Sequence, residues 1–205
     1  MLIRVKPQVM VDFTHPEAVM ENIRVALRHG VVPVVGTTGL TQQNLHEIES
    51  LCESRGGGAF VAPNFAIGAN LMIHFARIAA RYFPSAEIIE LHHDGKADAP
   101  SGTAVKTAEE MIDSRGTPFE DGATTKVFVE GVRGGNMSGV HIHSVRLPGL
   151  VAHQEVLFGG QGQTLTIRHD SFSRESFMQG VIMAIKEAPQ IKGLVYGLDR
   201  LMGLA

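Results

Sequence analysis

Strand-like and helix-like patterns alternate along the first third of the chain, and this alternation restricts the possible folds more than any other feature. Three short apolar segments predict buried strands: Gln8–Phe13, Val31–Val35 and Ala59–Ala62. Two helical patterns lie between them, the first opening with Pro16 and the second preceded by Thr41, a favourable N-cap residue. A helix between two strands favours parallel pairing with a right-handed crossover. The first third therefore predicts half of a doubly wound parallel sheet.

The middle of the chain follows a different pattern. The periodicity predicts a long amphipathic helix over Ile67–Phe83, a strand over Glu87–His92 and a helix from Ser101 to Ile112. Four closely spaced strand candidates follow: Lys126–Glu130, His141–Leu147, Val151–Phe158 and Gln163–His169. Because short turns between successive strands favour mainly antiparallel pairing, this region predicts an α+β domain.

A last helical pattern begins behind Ser173, which we expect to cap it. The change from an α/β pattern to an α+β pattern predicts two domains. The first comprises residues 1–65 and is joined by the C-terminal segment 174–205, and the second comprises residues 66–173.

Composition excludes several classes of protein. Of 205 residues, 44% are hydrophobic and 19% charged, which is typical of a globular chain and not of a disordered one. The net charge of −3 gives no indication of nucleic-acid or anionic-membrane binding. Apolar runs such as Val31–Val35 are far shorter than the ~20 residues of a membrane span. Cys52, the single cysteine, and the lack of a secretory leader favour a cytoplasmic location.

Two loops follow predicted parallel strands at the edge where α/β sheets bind ligands. Gly36-Thr37-Thr38-Gly39 follows the second strand, and Pro63-Asn64-Phe65 follows the third. Small residues allow a ligand to approach the backbone, and threonine hydroxyls supply hydrogen bonds. A plain strand-to-helix connection is the alternative for the first segment, and for Pro63–Phe65 taken alone a simple turn into the next helix is favoured.

The densest group of chemically useful side chains lies between His92 and Thr103. It contains two imidazoles and Lys96, and its Pro-Ser-Gly-Thr step opens a helix whose free amides and positive dipole end suit a carboxylate. An imidazole and an amine there can bind anions or move protons near neutral pH. The alternative is a strand that ends in a solvated loop with an ordinary N-cap.

Other polar residues have more than one interpretation. A metal site is not expected from the remaining histidines, because no cysteine, His-Glu-x-x-His pattern or suitably spaced carboxylate accompanies them: His141, His143, His153 and His169. Arg146, at a strand end, either anchors a carboxylate or is a surface charge.

The segment Glu90–Ala104 strongly resembles the signature of the dihydrodipicolinate reductase family. Three further segments resemble family segments in the same order: Val11–Pro16, Gly36–Gly39 and Ala62–Phe65. The resemblance extends from about Gln8 to the C-terminus. It implies a Rossmann-like parallel-sheet domain followed by a mixed or antiparallel-sheet domain for substrate binding and oligomerisation. Two further stretches are similar to the cyanobacterial and plant-type branch: His143–Gly149 and Leu194–Leu198.

The resemblance also implies roles for individual residues. His92 matches the acid–base histidine and Lys96 the proton-donating lysine. The implied substrate-binding residues are His93, Ser101, Gly102 and Thr103. The implied cofactor-binding residues are Gly36, Thr37, Thr38, Ala62, Pro63, Asn64 and Phe65. The reaction implied is hydride transfer from NADPH or NADH to a small cyclic dicarboxylate in lysine and diaminopimelate biosynthesis.

Other implied properties concern the whole chain. The family's glycine-rich loop for the cofactor pyrophosphate precedes the region of resemblance, so the first domain is expected to be truncated. A non-enzymatic chain that oligomerises and binds dicarboxylates without a working cofactor site is therefore the alternative function. A homotetramer is implied, with no nucleic-acid or membrane partner, in the cytoplasm or, in a photosynthetic eukaryote, the plastid stroma.

Overall fold

The computed structural model describes residues 2–204, and the first of its two sheets is a four-stranded parallel sheet. The elements of this region are α1 (Leu2–Val5), β1 (Val9–Asp12), α2 (Pro16–Arg28), β2 (Val32–Val35), α3 (Gln42–Arg55) and β3 (Gly58–Val61). The fourth strand, β9 (Gly193–Tyr196), comes from the far end of the chain and pairs with β3. The strand order is β1-β2-β3-β9, so the predicted parallel sheet is confirmed.

Local capping explains where α3 begins and ends. The Thr41 side chain accepts a hydrogen bond from the Asn44 amide, and the Asn44 side chain accepts one from the Thr41 amide. Gly56 closes the helix in the left-handed conformation, with φ at 63°. The predicted cap at Thr41 is thereby confirmed.

The second sheet is a five-stranded mixed sheet. Its elements are α4 (Ile67–Ala79), β4 (Ser85–His92), α5 (Gly102–Arg115), β5 (Gly135–Met137), β6 (Val140–Arg146), β7 (Ala152–Gly160) and β8 (Gln163–Ser171). The strand order is β5-β6-β4-β7-β8, in which only β4 and β6 run parallel. One face of this sheet packs on α4 and α5, and Ile88, Val156 and Phe158 are buried at its centre. The predicted α/β plus α+β fold is therefore confirmed.

The chain then returns to the parallel sheet. A 3-10 turn (Arg174–Phe177), α6 (Met178–Glu187), a second 3-10 turn (Ala188–Gln190), β9 and α7 (Leu198–Leu201) follow in order. The chain forms two compact units, residues 1–70 with 175–205 and residues 71–174. No helix among residues 2–204 is long and apolar enough to cross a membrane.

Three predicted elements differ from the structure. No strand forms over Lys126–Glu130, because its apolar side chains face solvent: Phe128 is 83% exposed, so no core selects a strand there. The helix predicted to reach Phe83 ends at Ala79, because Pro84 has no N–H to donate to the Ala80 carbonyl oxygen. The Arg115 guanidinium donates to the carbonyl oxygens of Ala80 and Phe83 instead. The last helix begins at Met178 rather than behind Ser173, because a 3-10 turn intervenes.

Candidate active site

The predicted catalytic segment connects the end of β4 to the start of α5. His92 is the last residue of β4, and Ser101 caps α5 by accepting a hydrogen bond from the Ala104 amide at 3.2 Å. The first amides of a helix have no partner within the helix. A Cβ placed at Gly102 would meet no atom within 4 Å, so open space borders this helix start. The geometry suits an anionic group held by backbone amides.

A carboxylate that received no predicted role lies at the centre of this region. Glu90 is 0% exposed and is held by both terminal nitrogens of Arg146, at 2.8 and 2.9 Å. The backbone amide of Ser101 donates to the same carboxylate at 3.3 Å. Two alternatives existed for Arg146, and the structure pairs it with an internal carboxylate. This paired charge connects two strands to the start of α5.

The Glu90 carboxylate also determines how the His92 imidazole is oriented. The distance from Glu90 Oε2 to His92 Nδ1 is 2.5 Å. An ionised carboxylate only accepts hydrogen bonds, so Nδ1 carries the proton and Nε2 keeps its lone pair. Burial lowers the pKa of His92, and the hydrogen bond to Glu90 offsets only part of this. Neutral His92 is therefore the form present at neutral pH.

The opposite balance applies to Glu90. Burial raises its pKa, but hydrogen bonds from Arg146, Ser144 and His92 together outweigh burial, and the pKa is lowered. The Glu90 carboxyl group is therefore ionised at neutral pH.

The loop between these elements holds Lys96 close to its neighbours. Lys96 Nζ lies 2.6 Å from Asp98 Oδ1, and its backbone amide donates to the His93 carbonyl at 3.2 Å. The Arg146 guanidinium donates to the Asp98 carbonyl at 2.7 Å. His93 is exposed and Lys96 is half-buried. The structure thus brings all six predicted catalytic and substrate residues into one loop and its two flanking elements.

The loop after β2 is fixed to β1 by a second buried carboxylate that received no predicted role. Asp12 is 3% exposed and accepts hydrogen bonds from the hydroxyl groups of Thr37 and Thr14 at 2.7 and 2.8 Å, and from the Asn22 amide at 2.7 Å. The Gly36 amide donates to the Asp12 carbonyl at 2.8 Å. Thr37 is consequently buried, whereas Thr38 is exposed.

Packing explains the glycine at position 36. A Cβ there would lie 2.1 Å from the Phe13 ring, which is closer than any real contact. The Phe13 ring in turn packs on Phe65, with ring centroids 5.4 Å apart. The loop after β2 and the loop after β3 therefore lie next to each other at one edge of the sheet.

The predicted cofactor residues after β3 divide into buried and accessible ones. Ala62 and Phe65 are buried, and the Asn64 side chain accepts a hydrogen bond from the Ala66 amide at 2.9 Å. Pro63 is exposed, as Thr38 is. This edge of the sheet presents small, mostly uncharged groups and backbone polar atoms, which fit a flat uncharged ring system. The predicted cofactor residues lie in the first unit, and the predicted catalytic residues lie in the second.

The Asp12 network gives a testable prediction for stability. Burial raises the pKa of Asp12, but hydrogen bonds from Thr14, Thr37 and Asn22 outweigh burial and lower it. A lowered folded-state pKa stabilises the protein above the unfolded pKa, and this contribution is lost as the pH falls through the folded pKa. Asp12→Asn should therefore cost about 1–3 kcal/mol at pH 7 and less in acid. Urea unfolding at pH 7 and in acid measures this cost, and an equal cost under the two conditions would contradict the prediction.

Three of the other histidines pair with carboxylates. His141 Nε2 lies 2.7 Å from Asp121, His143 Nε2 lies 2.8 Å from Glu87, and His153 Nδ1 lies 2.7 Å from Asp170. Among the described residues, no three His, Cys, Asp or Glu side chains are grouped so that they could hold a metal ion.

The roles of Glu90 and Asp12 escaped the sequence analysis, although one signal for Glu90 was present. In a strand predicted over Glu87–His92, Ile88 and Glu90 share a face, and Ile88 is the kind of residue that faces a core. A glutamate on a core-facing position requires a cationic partner. Asp12 carried no comparable signal.

Comparisons with known proteins identify the same family over both parts of the chain. The family model described as dihydrodipicolinate reductase, N-terminus, matches residues 2–65, and the C-terminus model matches residues 68–202. The 4-hydroxy-tetrahydrodipicolinate reductase of Moorella thermoacetica is 57% identical over 96% of this chain and 73% of its own length. The enzyme of the same name from Listeria monocytogenes is 54% identical over 98% of this chain and 77% of its own.

A solved structure of the same family also matches this chain. A dipicolinate-bound dihydrodipicolinate reductase from Paenisporosarcina sp. TG-14 matches with a TM-score of 0.89 and 51% identity, over 97% of this chain and 75% of that one. An amine dehydrogenase from Mycobacterium smegmatis has a TM-score of 0.59 at 13% identity, which indicates a shared fold alone.

These relatives also bear on the finer expectations. The reductases named above come from Firmicutes, so the cyanobacterial and plant-type branch gains no support. The expected N-terminal truncation gains no support either. Two family models cover most of the chain, and relatives more than half identical cover nearly all of it. The chain belongs to the dihydrodipicolinate reductase family.

Proposed function

We propose that the chain reduces 4-hydroxy-tetrahydrodipicolinate to tetrahydrodipicolinate with a nicotinamide cofactor, which is the reaction named for its relatives. One observation carries the proposal for the site. The loop of highest resemblance places neutral His92, Lys96 and the open start of α5 together in one unit. A proton carrier, an ammonium group and an anion-binding helix start are the groups that a reductase of a cyclic dicarboxylate needs.

The substrate carboxylates would be bound at the start of α5. The amides of Gly102 and Thr103 belong to the first turn of α5, where amides have no partner within the helix, and the Ser101 side chain bonds the Ala104 amide. The helix dipole adds positive potential there. His93 and Lys96 would supply further donors to a carboxylate. The relative from Paenisporosarcina binds dipicolinate, which is a cyclic dicarboxylate like the proposed substrate.

Proton movement is assigned to Lys96 and His92. The cofactor, when bound, supplies a hydride to the substrate ring. The Lys96 ammonium group donates the accompanying proton, and the hydroxyl group of the substrate leaves as water, so that one hydride and one proton are consumed per water released. His92 Nε2, whose lone pair is free, accepts or returns a proton at the substrate.

The cofactor would be held at the carboxyl edge of the parallel sheet. We assign this role to Gly36, Thr37, Thr38 and Ala62–Phe65. Thr38 and Pro63 offer the exposed surface, while Asp12 and Phe13 fix the loop from behind. We assign none of these residues to the ribose 2′ position that distinguishes NADPH from NADH, so the proposal covers either cofactor.

The function is tested by assay and by binding. Steady-state oxidation of NADH and of NADPH is measured with 4-hydroxy-tetrahydrodipicolinate, and binding of pyridine-2,6-dicarboxylate is measured by calorimetry. We expect turnover with at least one cofactor and inhibition by the dicarboxylate. Dicarboxylate binding with no cofactor binding and no turnover would instead support the non-enzymatic alternative.

We further propose that four chains associate through the mixed sheet. The face opposite α4 and α5 carries Ile89, Leu91, Val145 and Leu157, which remain partly exposed. Covering an exposed apolar sheet face with another chain removes apolar surface from water, which stabilises the assembly. Light scattering is expected to give four times the 22.1 kDa mass of one chain, and Leu91→Glu should lower that mass. A monomer for the unchanged protein would contradict the proposal.

A further inference from the structure

Two similar side-chain triads occupy opposite faces of β4. On the outer face, Glu87 holds His143 at 2.8 Å and Arg133 at 2.6 Å. On the inner face, Glu90 holds His92 at 2.5 Å and Arg146 at 2.8–2.9 Å. Both triads consist of one carboxylate, one imidazole and one guanidinium. The inner triad differs in being connected to the start of a helix.

We propose that Glu90 is a positioning residue for the reaction, which fixes His92 with its proton on Nδ1 and its lone pair on Nε2. This inference rests on the proposed function of His92. The carboxylate is 0% exposed, and the His92 side chain is 15% exposed, so water competes little for this hydrogen bond. A neutral imidazole can carry its proton on either nitrogen, and the partner of one nitrogen decides which.

The same carboxylate also fixes His92 relative to the anion-binding start of α5. Glu90 accepts from the Ser101 amide at 3.3 Å, and Ser101 is the N-cap of that helix. Arg146, which pairs with Glu90, holds the Asp98 carbonyl in the connecting loop at 2.7 Å. Glu90 and Arg146 therefore connect the imidazole, the loop and the helix start. A substrate bound at α5 would meet His92 in one orientation only.

Glu90→Gln is a specific test, because glutamine keeps the shape but offers only one acceptor oxygen. Oε1 faces two groups that can only donate, Arg146 Nη2 and the Ser101 amide, whereas Oε2 faces one such donor, Arg146 Nη1, and His92, which can become an acceptor. The glutamine oxygen is therefore expected at the Oε1 position. The amide NH2 group then faces His92 Nδ1 and donates to it. Nδ1 becomes the acceptor, and the proton moves to Nε2. The variant should thus reverse the tautomer without emptying the site.

The tautomer is read directly by nitrogen-15 NMR of the imidazole. In the unchanged protein we expect the shifts of an Nδ1–H tautomer at His92, and in Glu90→Gln those of an Nε2–H tautomer. The signal is assigned with His92→Gln. An unchanged tautomer in Glu90→Gln would overturn the inference, whatever the activity. A lack of reductase activity in the unchanged protein would instead overturn the proposed function.

Kinetics supply the second readout. We expect kcat of Glu90→Gln to fall about 100-fold, within the usual range for acid–base groups, while KM changes less than threefold. In the profile of kcat/KM against pH, the midpoint of the limb that depends on His92 should move to lower pH, because Glu90 is the group that favours protonated His92. Lys96 and Arg146 are the other charged groups acting on His92, and they remain. Glu87→Gln is the matched control, and it should leave kcat within twofold.

A double variant separates positioning from folding. Glu90→Gln leaves the Arg146 guanidinium without its counter-charge, which lowers stability. Glu90→Gln with Arg146→Gln removes both charges, so thermal stability should recover, while pyridine-2,6-dicarboxylate binding should stay close to that of the unchanged protein. We expect kcat to stay about 100-fold low in this double variant. Recovery of kcat together with stability would show that Glu90 is merely structural.

Discussion

Replacing Lys96 with alanine is expected to lower kcat about 10²- to 10⁴-fold, which is the range for a group that moves a proton in the transition state. Lys96 lies on the loop between His92 and the start of α5, with Nζ 2.6 Å from Asp98. Its side chain is 21% exposed, so it is available to a ligand from solvent. No other lysine lies in the segment from His92 to Thr103. Steady-state kinetics with a saturating cofactor measure the loss.

Two further lysine variants separate binding from proton transfer. Lys96→Arg keeps the positive charge, but a guanidinium does not give up its proton near neutral pH. KM should therefore stay close to that of the unchanged protein, while kcat stays low. Lys126→Ala, at an exposed position in the same unit, should leave both constants unchanged. Unchanged kcat in Lys96→Ala would contradict the assignment of the proton donor.

The second large effect concerns stability. Arg146→Met should lower the free energy of unfolding by about 3–5 kcal/mol at pH 7, because it leaves a buried carboxylate without its partner. Glu90 is 0% exposed and Arg146 only 19% exposed, so solvent replaces little of the lost interaction. Methionine fills most of the vacated volume, which keeps a cavity from adding to the cost. Urea unfolding gives the value directly.

The pH dependence of this effect has a definite sign. In the unchanged protein the pKa of Glu90 is lowered, so its ionised form stabilises folding above the unfolded pKa, and this contribution is lost as pH falls. Without Arg146, burial dominates and raises the folded pKa above the unfolded one. Protonation then favours folding of the variant as pH falls. The stability difference should therefore be largest at neutral pH and shrink in acid.

An exposed ion pair provides the control for this prediction. Arg168 pairs with Glu155 at 2.8 Å, but Arg168 is 47% exposed. Arg168→Met should cost only about 0–1 kcal/mol and show little dependence on pH. Equal costs for Arg146→Met and Arg168→Met would mean that burial of Glu90 does not matter.

The sequence predicted those parts of the fold that local signals determine. Alternating patterns predicted the parallel strands, and Thr41 predicted the start of α3, because capping and periodicity act over a few residues. β9 was missed, since Leu194-Val195-Tyr196 is too short to be distinguished from a loop until β3 is there to pair with it. Conversely, the apolar run at Lys126–Glu130 resembles a strand but has no partner.

The candidate site shows the same division. The loop from His92 to Thr103 was predicted because its residues are neighbours in the sequence. Glu90 and Arg146 were not connected, since they lie 56 residues apart and meet only when β4 and β6 pair in register. The side chains proposed to bind substrate lie in one segment, whereas Arg146, which holds the Glu90 carboxylate, comes from a different strand.

The path of the chain through the two units has a consequence for the order of synthesis. The second unit is one continuous segment, residues 71–174, and all five strands of its sheet are present once that segment has been made. The first unit begins earlier but takes its fourth strand from Gly193–Tyr196. Domains generally fold as units while the chain emerges from the ribosome. The sheet that is started first is thus completed last, and a nascent chain has the proposed substrate loop before it has the whole parallel sheet.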